Sequence, residues 1–284
     1  MKKLFIIGDP VDHSLSPIIH NIALKKLGLE EKFSYEKMLV QKKDLKEIIN
    51  KIRNDEICGI SVTMPHKELI IQYLDQLTVE AELIQAVNTV YKENGRIIGH
   101  NTDGIGCIRA LEEIEASPIG KNVVLLGAGG AAKAIAYKLV LYKIKKLYII
   151  NRTKKRAEDL SKCIFEKTNF QTNYGNFDDL KNAVEDADII INATSIGMKG
   201  AVVNKSIISA SQLMSNIVVQ DIVYNPIKTK FLREAEKAGA KIVNGLSMLL
   251  FQGAEQFQIF TGRNAPIDNM RKGLLEVINE NNSK

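Results

Sequence analysis

The chain has 284 residues, 45% hydrophobic and 25% charged, with a formal net charge of +6. That length suits one large domain or two ordinary ones, and the composition is that of a soluble globular protein rather than a disordered one. No apolar run approaches the ~20 residues of a membrane-spanning helix. Met1-Lys2-Lys3 is followed by too short an apolar stretch for a signal peptide, so a cytoplasmic protein without membrane attachment is expected.

Cys58, Cys107 and Cys163 lie far apart and in no metal-ligand spacing, which predicts reduced structural thiols and no metal. The lysines are interleaved with acids. A solvated surface that favours small anionic ligands explains the net charge better than nucleic-acid binding does.

Leu4–Ile7 reads as a short buried strand broken by Gly8-Asp9-Pro10. The loop Val11–Pro17 follows, and Pro17 is suited to open the helix Ile18–Leu27. Ser14 and Ser16 sit where hydroxyls can hold a carboxylate or phosphate, or where Ser16 merely caps the helix. Phe33–Val40 reads as a strand, Lys43–Arg53 as an amphipathic helix and Ile57–Val62 as a strand ending in Thr63-Met64-Pro65-His66-Lys67. Lys67 therefore falls just past a strand's carboxyl end, the edge where open α/β sheets bind ligands. A lysine at a helix start opposes the macrodipole, and it is a proton donor whose pKa shifts readily.

Leu69–Leu74 and Val79–Ile84 read as helices. Ala86–Tyr91 and Arg96–Gly99 read as a hairpin turning at Glu93-Asn94-Gly95, followed by His100–Gly104. Thr63, Lys67, Asn88, Asp103 and the serine loop then share one sheet edge. Alternating strands and helices predict a mostly parallel sheet.

Ile105–Ile114 is a predicted helix, and the strand Val123–Leu126 runs into Gly127-Ala128-Gly129-Gly130-Ala131-Ala132 before a helix to Leu141. This is the G-x-G-x-x-[G/A] fingerprint in its strand–turn–helix setting. Gly127 permits the tight turn, Gly129 lets a pyrophosphate approach the backbone, and Ala132 allows close helix–strand packing. The strand Lys146–Ile150 ends in Asn151-Arg152-Thr153-Lys154-Lys155-Arg156. No acid stands there to bind a ribose 2′-hydroxyl. Arg152 and Arg156 instead suit a 2′-phosphate, with Asn151 and Thr153 adding hydrogen bonds, which selects NADP over NAD. Asp188–Ile191, Ile217–Ile222 and Lys241–Val243 are further strands, and Phe231–Ala238 is a helix. The nucleotide-binding part then has about six strands, one without a distinct segment. Leu249–Thr261, carrying Gln252, and Asp268–Asn279 are closing helices that can return to the first part of the chain.

These motifs, in this order, resemble the shikimate dehydrogenase family almost end to end. The resemblance rests on Ser14-Leu15-Ser16-Pro17, Val62–Lys67, Ala86–Thr89, Asn101–Gly104, Gly127–Ala131, Asn151–Thr153, Asn192–Ser195, Asp221–Pro226 and Gly245–Gln252. It implies an α/β fold: an N-terminal α/β substrate domain with a mostly parallel sheet, a Rossmann NADP-binding domain, and a cleft between them. The substrate and catalytic domain would comprise residues 1–103 and 247–284, and the Rossmann domain 104–246. The implied activity is NADPH-dependent reduction of 3-dehydroshikimate to shikimate on the pathway through chorismate to aromatic amino acids.

Carried over by position, Ser14 and Ser16 would bind the substrate carboxylate. Thr63, Asn88, Asp103 and Gln252 would hold ring hydroxyls, with Tyr224 close by. Lys67 and Asp103 would form the catalytic pair. Gly127, Ala128, Gly129, Gly130, Ala131, Asn151, Arg152, Thr153, Lys154, Lys155, Arg156, Ile222 and Gly245 would line the cofactor. The sequence departs from the family at Val79, after Leu77-Thr78, where a polar residue is common. The competing readings are a quinate/shikimate dehydrogenase of broader substrate and cofactor use, and a non-catalytic NADP-binding regulator. The expected partner is a small-molecule substrate, and the protein is expected to be a monomer or homodimer.

Overall fold

The computed structural model describes residues 1–200 and 202–282. The chain folds as two units, one of Met1–Thr102 with Leu250–Lys284 and one of Asp103–Leu249.

The first unit runs β1 (Lys2–Gly8), α1 (Ser16–Lys26), β2 (Phe33–Leu39), α2 (Leu45–Arg53), β3 (Gly59–Val62), α3 (His66–Leu69), β4 (Gln76–Leu77), α4 (Val79–Ile84), β5 (Thr89–Glu93) and β6 (Arg96–His100). The strand order is β2-β1-β3-β5-β6-β4. Every strand except β5 runs in one direction, because the hairpin reverses β5 between β3 and β6. The helix α2 buries Leu45, Ile48, Ile49 and Ile52, the i, i+3, i+4, i+7 stripe of an amphipathic helix. That stripe packs on Phe5, Ile7, Ile60, Val62 and Val90 of the sheet.

The stretch read as a helix over Leu69–Leu74 is instead the end of α3, a 3₁₀ turn at Ile70–Tyr73 and the approach to β4. At two residues, β4 is too short to show a strand period. It is recruited by pairing Gln76 with Ile98 and Leu77 with Gly99 on β6.

The second unit runs α5 (Asp103–Glu112), β7 (Asn122–Leu126), α6 (Gly130–Leu141), β8 (Lys146–Ile150), α7 (Lys154–Thr168), β9 (Asn173–Gly175), α8 (Leu180–Val184), β10 (Ile189–Asn192), β11 (Val218–Asp221), α9 (Lys230–Lys237) and β12 (Lys241–Val243). All pairings are parallel, in the order β12-β11-β10-β7-β8-β9. This is the doubly wound dinucleotide-binding order, with its switch point between β7 and β10. The strand without a distinct segment is β9, three edge residues of which only Gly175 is buried. One face of the sheet is covered by Leu180, Phe231, Leu232 and Ala235 packed on Val124, Leu126, Ile190 and Val219.

The closing helices are α10 (Gly245–Thr261) and α11 (Ile267–Asn282). Within the first unit α11 packs along α1, where Gly273 lies against Ile22 so closely that a Cβ there would overlap its side chain. Among the described residues, no helix is long and apolar enough to cross a membrane, and no group of three or more His, Cys, Asp or Glu could hold a metal.

Candidate active site

The carboxyl ends of β1, β3 and β6 and the amino end of the reversed β5 fall on one edge, because Ile7 pairs with Val62, Ser61 with Thr89 and Thr89 with His100. Of the predicted substrate contacts, Ser14, Ser16, Thr63, Lys67 and Asn88 lie in the connections beside those ends. Ser14 and Ser16 are buried in the β1–α1 connection, and the Ser14 hydroxyl oxygen accepts from the Ser16 N–H at 3.3 Å. The N-cap of α1 is Leu15, so Ser16 is the first helical residue rather than a side-chain cap.

Thr63 is tied to β1 by its N–H to the Ile7 carbonyl (2.9 Å). A Cβ on Gly8 would come within 2.5 Å of the Thr63 methyl, so the bare glycine lets the two loops meet. Lys67, partly exposed, lies on α3, and its carbonyl accepts from Val87 N–H (2.7 Å). Because α3 is a single turn, it has almost no macrodipole. The position of Lys67 on α3 therefore carries little electrostatic cost, and Lys67 stands out by its place at the sheet edge.

Asn88 is 2% exposed, and its amide meets Thr102 on the loop after β6 and Gln252 on α10. Asp103, the next residue, is buried in the first turn of α5.

In the second unit Gly127 adopts φ +120°, and a Cβ there would sit 2.9 Å from the Ala193 carbonyl oxygen. Gly127 is thus required by the crossing of the β7 and β10 loops. Gly129, the N-cap of α6, differs: a Cβ there would meet nothing within 4 Å. Its missing side chain faces open space above the free N–H groups of a twelve-residue helix that includes Gly130 and Ala131, room that fits a pyrophosphate.

The basic run after β8 sorts itself by partner. Lys154 reaches Asp179 (3.9 Å), and Lys155 pairs with Glu158 and Asp159 on its own helix. Exposed Arg152 and Arg156 make no ion pair among the described residues. Asn151 Nδ2 donates to the Thr153 carbonyl (2.9 Å), closing the turn, and the Thr153 hydroxyl makes no cap bond. Two unpaired guanidiniums beside a strand end with no acid suit a 2′-phosphate.

Ile222 and Tyr224, both partly buried, follow β11, and burial raises the Tyr224 phenol above its usual pKa. Gly245 presses on this turn: a Cβ there would lie 2.6 Å from the Val223 carbonyl. In the sequence Asp221 is one residue of the Asp221–Pro226 motif. In the structure it is a hub at 0% exposure. It accepts from Asn192 Nδ2 (2.9 Å), Val223 N–H (3.0 Å) and the Thr229 hydroxyl (2.5 Å), bracing the loops after β10 and β11.

Burial raises the Asp221 pKa to about 6 despite these three donors. Its folded pKa lies above the unfolded ~3.9. The associated stability is full below about pH 4 and is lost as pH rises through about 6, a change of ~3 kcal/mol at most. Asp221→Asn cannot ionise, so the melting temperature of the variant minus that of the wild type should grow by several degrees from pH 4 to pH 7. Scanning calorimetry across that range checks it, and a constant difference refutes it.

Three family models match the chain. They are the shikimate dehydrogenase substrate binding domain over residues 6–90, shikimate/quinate 5-dehydrogenase over 110–230, and the shikimate 5′-dehydrogenase C-terminal domain over 245–275. A shikimate dehydrogenase (NADP(+)) of Methanocaldococcus jannaschii is 44% identical over 280 residues, covering 98% of this chain and 97% of the relative. A crystal structure of a shikimate dehydrogenase in complex with NADP+ is similar at TM-score 0.92 and 43% identity, covering 98% of this chain and 96% of that one. The shikimate 5-dehydrogenase of Listeria monocytogenes, crystallised with shikimate and NAD, follows at TM-score 0.90 and 38% identity, with 96% of each chain covered. Two α/β units with these motifs at their strand ends, matched over nearly the full length, place the chain in the shikimate dehydrogenase family.

Proposed function

We propose that the chain catalyses the reversible NADP-dependent reduction of 3-dehydroshikimate to shikimate, in the synthesis of aromatic amino acids. The observation that carries this reading is the polar edge of the first unit, where Ser14, Ser16, Asn88 and Gln252 are buried beside an otherwise apolar sheet. Buried polar groups gathered in this way suit a small, polyhydroxylated anion, which pairs with them on binding.

In this reading Ser14 and Ser16 hold the substrate carboxylate. Thr63, Asn88, Asp103 and Gln252 hold ring hydroxyls, and Tyr224 is a further candidate contact. Gly127–Ala131 receive the pyrophosphate, Asn151–Arg156 the 2′-phosphate, and Ile222 and Gly245 the rest of the cofactor. When bound, NADPH supplies the hydride for the substrate ketone. Negative charge grows on the ketone oxygen as it is reduced. The Lys67 ammonium stabilises that charge and donates the proton, while Asp103 orients both the lysine and the substrate. In the oxidative direction the same pair takes the proton back.

The test is an activity matrix of shikimate and quinate, each with NADP+ and NAD+. Shikimate with NADP+ should give the highest kcat/KM. NAD is included because the Listeria relative was crystallised with it. Equal rates with quinate and NAD+ would establish the broader dehydrogenase instead, and no turnover in any combination would leave a binding protein.

A further inference from the structure

Behind the substrate edge of the first unit lies a chain of hydrogen bonds whose direction is dictated by the backbone. The Thr102 main-chain N–H meets Asn88 Oδ1 at 2.9 Å, so that atom must accept. Asn88 Nδ2 is then the donor, to Thr102 Oγ1 at 2.9 Å and Gln252 Oε1 at 3.5 Å. One turn along α10, Gln256 Nε2 lies 2.9 Å from the Asn88 main-chain carbonyl oxygen, so it must donate. The same amide donates to Thr89 Oγ1 (3.0 Å), and the single Thr89 proton goes to Asn88 Oδ1 (2.7 Å). On its other side Gln256 Oε1 must accept, from the Ser61 hydroxyl (2.8 Å). Ser61 Oγ in turn accepts from the Tyr35 phenol (2.6 Å).

Two main-chain groups, one donor and one acceptor, thus orient every member from Tyr35 to Gln252. Tyr35, Ser61, Asn88, Thr89, Thr102 and Gln256 are all 2% exposed or less, so water does not scramble the order. The imidazole of His20 stacks flat on Tyr35 (centroids 4.0 Å apart, planes at 4°). Burial lowers its pKa to about 3, so it adds no charge beside the relay.

We infer that Tyr35 and Gln256 are positioning residues: Gln256, held through Ser61 by Tyr35, grips the Asn88 main-chain carbonyl and, through Thr89, Asn88 Oδ1, and so keeps the Asn88 and Gln252 amides in the facing that the Thr102 N–H sets, which decides the substrate hydroxyls accepted. With Gln252 Oε1 turned to Asn88, the remaining polar group of its amide is Nε2, whose polarity suits a hydroxyl oxygen. An inverted amide would present an acceptor and read a different pattern. Discrimination between polyols then depends on residues that touch no substrate.

The inference rests on the reading of Asn88 and Gln252 as substrate contacts. Tyr35→Phe removes the first donor and keeps the ring on His20. Gln256→Met keeps the length of the side chain and removes both hydrogen-bonding groups. Each is assayed with NADP+ against shikimate and against analogues lacking one ring hydroxyl, with a thermal melt alongside. The expected result is a KM for shikimate raised about tenfold in Gln256→Met and severalfold in Tyr35→Phe, kcat within about threefold and KM for NADP+ unchanged. The preference for shikimate over the analogue lacking the hydroxyl read by these amides should fall towards one.

Unchanged KM and unchanged preference in Tyr35→Phe overturn the inference. So does a fall in kcat and in affinity for both ligands that tracks the melting temperature, the mark of a merely structural role. Asn88→Ala separates the two readings: if it raises the shikimate KM while Tyr35→Phe does not, the relay alone fails. If the wild-type protein oxidises no shikimate, both fall together.

Discussion

Lys67→Ala is expected to lower kcat by ~100- to 10,000-fold while the affinity for NADPH stays within about twofold of wild type. The lysine is the only cation among the proposed substrate contacts, and reduction of a ketone needs a proton and a counter-charge at the oxygen. The substitution leaves in place the main-chain carbonyl of residue 67, which accepts from Val87 N–H at 2.7 Å, next to Asn88. Alanine keeps that bond. The side chain is partly exposed, so its removal opens no deep cavity. Initial rates followed by nicotinamide absorbance give kcat, and fluorescence titration gives the NADPH dissociation constant. Turnover near wild type would remove Lys67 from catalysis.

Replacing both Arg152 and Arg156 by alanine should raise the KM for NADP+ by roughly 100-fold and leave that for NAD+ nearly unchanged. A charge-assisted hydrogen bond to phosphate contributes ~1.5–3 kcal/mol, less at an exposed site, so two together reach ~3 kcal/mol. Here ~1.4 kcal/mol is tenfold. The neighbouring lysines cannot take over fully, since Lys154 lies 3.9 Å from Asp179 and Lys155 is engaged by Glu158 and Asp159. The wild-type preference should also shrink as salt screens the exposed guanidiniums. Steady-state kinetics with both cofactors at low and moderate salt check this, and an unaltered NADP+ KM would sink the 2′-phosphate assignment.

The elements legible from sequence were those whose side chains carry a period or a motif. The apolar stripe of α2, the buried runs of β7 and β10, and the glycine turn into α6 are each set by neighbours in the chain. Two-residue β4 and three-residue β9 carry no period, and only their partners β6 and β8 make them strands. The basic turn after β8 was legible as a charge cluster, but its division into paired lysines and unpaired arginines was not. That division depends on Asp179 and on which helix positions face Glu158 and Asp159.

The same boundary runs through the site. Ser14, Ser16, Thr63 and Lys67 could be placed at one edge from sequence alone, because each follows a recognisable strand and parallel strands end together; Asn88 reads as part of the strand Ala86–Tyr91, and the structure puts it just before β5. Tyr35, Ser61 and Gln256 could not. They look like ordinary strand and helix residues, and 195 positions separate Ser61 from Gln256. Asp221 looks like any acid in a turn until burial and three donors make it a hub. The sequence by itself determined the α/β class, the cofactor turn and the candidate residues at the strand ends, since these follow from local propensity and periodicity. Only the tertiary structure decided which buried polar groups meet, and in which direction their protons point, because a hydrogen bond is chosen by proximity in space and carries no trace in the spacing of residues along the chain.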